Sequence, residues 1–125
     1  MKQIKLVGLA VFSLSLVACG GIKSKEEIAT MSPTEVAELT CNAYKNIELE
    51  QLQPLFPEKS YKRLISKSSK NPDKFSEFVK DADCGVTKTE NVTYKRLEAT
   101  RVSFEKFGAI KVFKVDDQYQ VAMEG

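Results

Sequence analysis

The sequence predicts an α+β domain, a block of helices followed by a small antiparallel sheet of about four strands. Between Ser32 and Ala82, apolar residues recur at helical spacing, and two of the runs open on a cap-then-proline signal. From Val86 onward the apolar period changes to two. The whole chain has 125 residues, enough for one small core and not two.

Ser32-Pro33-Thr34-Glu35 reads as a capping box with proline at the first helical position. Val36, Leu39, Ala43 and Ile47 follow on one stripe, flanked by Thr40 and Tyr44, which predicts a helix over Pro33–Asn46. Leu49, Leu52, Leu55 and Phe56 predict a short second helix, broken by Pro54 and Pro57. Pro57-Glu58 opens a third, with Tyr61, Leu64 and Ile65 at helical spacing, before a polar linker over Ser66–Lys70. Asn71-Pro72 starts a last helix with Phe75, Phe78 and Val79 on its stripe, ending near Ala82 and leaving through Cys84-Gly85.

Val92 and Tyr94, Val102 and Phe104, and Tyr119, Val121 and Met123 alternate with other residues as strands do, while Gly108 and Asp116-Asp117 supply hairpin turns. One sheet face packs on the helices and the other meets water or a partner. The strand from Ala109 carries Ile110, Val112, Phe113 and Val115, apolar on both faces. If helices cover Ile110 and Val112, then Phe113 and Val115 need another cover, such as a chain tail, a homodimer or a protein partner.

The N-terminus has a different character. Lys2 and Lys5 precede an apolar stretch from Leu6 to Ala18, a basic start and short apolar core that describe a secretory signal over residues 1–18. The run is shorter than the roughly 20 residues that a bilayer span wants. Leu16-Val17-Ala18-Cys19 resembles the lipobox of bacterial lipoproteins. That resemblance implies cleavage before Cys19, lipidation of its thiol with palmitate-type chains, and a membrane anchor. Gly20 and Gly21, in place of an aspartate after the cysteine, make the same resemblance favour the outer membrane. The alternative is an ordinary secreted protein with a chance cysteine near the cut. Gly20 to Met31 reads as the rest of a flexible tether over 19–31, reaching about 40 Å when extended, with the domain over 32–125.

Without Lys2 and Lys5 the 19 basic residues fall to 17, matching 17 acidic ones. A neutral mature chain argues against nucleic acid or anionic headgroups as the main partner. Cys41 and Cys84 remain, and export to an oxidising periplasm makes a disulfide the natural reading, with two buried thiols as the alternative. Two thiols with no histidine anywhere make a poor zinc set, so no metal or other cofactor is expected. The absence of histidine also removes the commonest general base near neutral pH, and Asp81 and Asp83 are the only local acidic cluster near a helix end. No catalytic residue is assigned.

Ser32 to Ile47, together with the ending Val112-Phe113-Lys114-Val115-Asp116-Asp117-Gln118-Tyr119-Gln120-Val121, resembles small lipoproteins with a nuclear-transport-factor-2-like domain. The resemblance implies a curved sheet wrapped around a long helix, with a pocket at the open end of the cone. It departs at the last turn, which lacks the usual glycine, and at Tyr119, where tryptophan is commoner. The function expected is that of a non-enzymatic binding or interaction module of the envelope. The competing reading is a small-molecule-binding or catalytic pocket, for which Tyr44, Tyr61, Tyr94 and Tyr119 would supply polar tips around a small apolar ligand. Core packing is the default role of the aromatics.

Overall fold

In the computed structural model, residues 22–124 are described, and they open with two successive capping boxes. The expected signal segment over residues 1–18, the expected lipidation site Cys19 and residues 20–21 lie outside the described residues. Ser24 caps helix α1 (Lys25–Ala29): its Oγ accepts from the Glu27 N–H at 3.2 Å, and the Ser24 N–H donates to Glu27 Oε1 at 3.0 Å. This corrects the expectation of a tether up to Met31. A five-residue helix with one inward apolar side chain, Ile28, shows no periodicity to read, yet Ile28 is only 2% exposed.

Further bonds stitch this segment down. The buried Gln51 accepts from the Lys23 N–H at 2.7 Å and donates to the Lys23 carbonyl at 3.0 Å. Tyr119 Oη donates to the Met31 carbonyl at 3.0 Å.

Helix α2 (Pro33–Lys45) starts at the predicted capping box and buries Val36, Ala37, Thr40, Cys41, Ala43 and Tyr44. Thr40 satisfies its hydroxyl inside the core by donating to the Val36 carbonyl at 2.8 Å. The helix ends in a Schellman motif, with the Glu48 N–H donating to the Ala43 carbonyl at 2.7 Å and the Ile47 N–H to Tyr44 at 3.1 Å. Ile47 therefore leaves the apolar stripe expected for it. It turns out of the helix at φ 55° and is exposed.

A 3-10 helix (Leu49–Leu55) buries Leu52 and Leu55. Helix α3 (Glu58–Lys70) runs straight through the polar stretch expected as a linker and has no fully buried residue. Serine and lysine there are compatible with helix, and only the next proline start, at α4 (Pro72–Val79), interrupts it. In α4, Val79 is buried and Phe75 meets the Tyr44 ring at 6.4 Å, but Phe78, expected on the same stripe, is 71% exposed.

The strands form a meander in the order β1-β2-β3-β4, all antiparallel: β1 (Asp83–Tyr94), β2 (Leu97–Lys106), β3 (Ala109–Val115) and β4 (Gln118–Met123). Cys84 and Gly85 belong to β1 and are not a helix exit. Cys41 and Cys84 are joined by a disulfide that links α2 to the start of β1, with Cα atoms 5.8 Å apart.

Two hairpin turns place non-glycine pairs in the left-handed region that type I′ turns require, Lys95-Arg96 (φ 47° and 69°) and Asp116-Asp117 (φ 52° and 64°). Val102, Phe104, Ile110, Val112 and Val121 point from one sheet face onto α2 and the 3-10 helix, where they form the core with Val36, Leu52 and Leu55.

Candidate functional site

The face of the sheet turned away from α2 divides into two halves, and the register decides how. Glu90 pairs with Arg101, and Arg101 with Lys111. Arg101 binds Glu90 at 2.9 Å and holds Glu124 with two bonds of 2.8 Å, while Lys111 Nζ lies 3.3 Å from Glu124. This bidentate pairing pulls the Glu124 carboxyl down to about 2, and the same bonds hold Arg101 above its ordinary range. The network was not read from the sequence. Its signal was the alternation of Glu90, Arg101 and Lys111, which becomes meaningful only once the turn at Lys95-Arg96 sets the register.

Toward that turn the same face is apolar. Tyr94 packs against Phe113 with ring centroids 5.1 Å apart and planes tilted by 34°; Tyr94 lies opposite Leu97, Phe113 opposite Ala99, and Val115 is close by. Ser60, Arg63, Leu64 and Lys67 of helix α3 form one wall of an open groove of about 640 Å³ that borders this surface, and Tyr44, Val121 and Met123 reach it from the α2 side of the sheet. Tyr94, Leu97, Phe113 and Val115 line it opposite, and Phe56 and Pro57 also border it. Its charged lining residues are all basic: Arg63, Lys67 and Lys95. Lys95 and Lys111 also lie 5.4 and 5.2 Å from the centroid of the Tyr94 ring.

Phe113, expected to need a cover, is thus half-buried in the groove, while Val115 stays 37% exposed.

The four tyrosines do not converge on one pocket. Tyr44 and Tyr94 both border the groove, and burial of Tyr44 among Phe75 and Phe107 pushes its hydroxyl up to about 12. Tyr119 lies in an adjoining hollow of about 720 Å³, lined also by Pro33, Thr93 and Thr100 and sharing Leu97 and Phe113 with the groove. Tyr61 lies in a third, beside Ile22, Ile47, Leu49 and Ile65.

Among the described residues, no group of three or more His, Cys, Asp or Glu could hold a metal ion, and no helix is long and apolar enough to cross a membrane. The Asp83 carboxylate accepts from the Gly85 N–H at 2.9 Å, a local turn at the start of β1. No family model, no curated protein and no solved structure matches the chain.

Proposed function

We propose that the protein is a lipid-anchored, non-enzymatic interaction module of a bacterial envelope, held by Cys19 at the outer membrane, which binds an acidic polypeptide segment through the α3–sheet groove. The helices-first meander around α2 is consistent with a nuclear-transport-factor-2-like domain. The observation that carries the binding reading is the groove itself: an aromatic lining, Tyr94 on Phe113, with Arg63, Lys67 and Lys95 as its only charged members. Apolar side chains of a partner bury against the rings, and carboxylates answer the cations. The divergent tyrosines and the open shape favour this over an enclosed small-molecule pocket.

Selection from a displayed library of random peptides tests the groove. Sequences mixing Asp or Glu with apolar residues, whose binding is lost in Phe113→Glu and in Arg63→Glu/Lys67→Glu, support it. Selected peptides without acidic bias, or binding that survives these changes, refute it. The anchor is tested by fatty-acid labelling in cells. Cys19→Ala should abolish uptake and leave an unprocessed precursor, and continued labelling overturns the lipoprotein reading.

A further inference from the structure

We infer that the apolar hollow formed by Ile22, Ile47, Leu49, Tyr61 and Ile65 is the surface on which the domain rests against the lipid bilayer that carries it. The inference builds on the lipoprotein reading and adds an orientation to it. Three observations meet at this place.

The first is the length of chain between anchor and fold. Lys23 is clamped through both its backbone groups to Gln51. Only four peptide links separate Cys19 from Lys23, and they span at most about 14 Å. A domain so closely held cannot ride free of the surface, and the part of it nearest Lys23 must face the lipid. Ile22, one residue away, lines this hollow and is 52% exposed.

The second is what is exposed there. Ile22 and Ile47 are two of the most exposed large apolar side chains among the described residues, at 52% and 45%. They share the hollow with Tyr61, an amphipathic side chain suited to the headgroup boundary. Glu48 and Glu50 also border the hollow, so the surface answers a zwitterionic lipid and not an anionic one.

The third is backbone strain. Ile47 occupies the left-handed position of a Schellman motif, at φ 55°, where glycine is the usual residue and a β-branched one is an outlier. The fold thus keeps a bulky apolar side chain, out in solvent, at the position least suited to hold one. Contact with lipid gives that side chain a role that folding does not.

The chain has no tryptophan, and the Cys41–Cys84 bond leaves Cys19 as its sole free thiol, which allows a direct test. The chain from Cys19 onward, which holds every described element, is coupled through that thiol to maleimide lipid in phosphatidylcholine vesicles with brominated acyl chains. Reporters are Ile47→Trp and, so that a folding failure at the strained site leaves the question answerable, Ile65→Trp.

Thr34→Trp is the control. Thr34 lies in the first turn of α2, about 20 Å from Ile47 along the helix axis. A blue shift and quenching at 47 or 65, without either at 34, is the expected result. Equal quenching at both ends, quenching at 34 alone, or none at all overturns the proposal. Because the lipid is attached chemically, this outcome is independent of whether cells lipidate Cys19, which the labelling experiment reads.

Discussion

Breaking the bond between Cys41 and Cys84 should remove a large share of the domain's stability. The bridge closes a sequence separation of 43 residues and ties the middle of α2 to the first residues of β1. In the chain-entropy model a loop of that length contributes about 4 kcal/mol at 25 °C. A domain of this size has roughly 5–15 kcal/mol in all, so the loss is at least a quarter of it. The melting temperature should fall by roughly 15–30 °C.

The assay is thermal unfolding by circular dichroism in a Cys19→Ala background, with and without reductant, alongside Cys41→Ala/Cys84→Ala. Reduction leaves both sulfur atoms in place and isolates the cross-link. The double substitution also empties space around the fully buried Cys41, so it should lie slightly lower still. Superimposable melts of oxidised and verifiably reduced protein would refute the reasoning. They would mean that packing of β1 on α2 survives in the unfolded reference, or that the two ends are held together without the bond.

Two further outcomes follow from the geometry. Ile47→Gly should raise stability by about 0.5–1 kcal/mol in urea titration, because relief of the left-handed strain exceeds glycine's extra freedom in the unfolded chain; a loss would mean that Ile47 holds the fold together. Glu124 has its pKa lowered from 4.5 to about 2, chiefly by its bonds to Arg101, so its contribution is full above about 4.5 and lost as pH falls through 2. Glu124→Gln should flatten that acid limb of the stability–pH curve, and an unchanged slope would remove Glu124 from the account.

How far the fold could be read in advance depended on how much of each signal was local. The α2 start was legible because Ser32, Pro33 and Glu35 act within one turn, and the disulfide because Cys41 and Cys84 are the only two cysteines outside the expected signal and lipidation site. The Asp116-Asp117 turn was legible for the same local reason, but Lys95-Arg96 was not, since neither residue type favours the left-handed region it occupies. Helix α1 is not legible although Ser24 and Glu27 form the same capping box as Ser32 and Glu35, because a single apolar residue makes no stripe. Phe75 and Phe78 look equivalent by spacing; one packs on Tyr44 and the other stands in solvent.

By itself, the sequence determined the order of helices and strands, the cysteine pair and the lipobox resemblance, all of which rest on neighbours along the chain. Only the tertiary structure decided that residues 22–31 of the expected tether carry a helix held to the domain, that Arg101 gathers Glu90 and Glu124, and that α3 shares a groove with Tyr94 and Phe113. Those outcomes depend on which strand lies beside which and where a helix with no fully buried residue comes to rest, and residues far apart in the chain set them together.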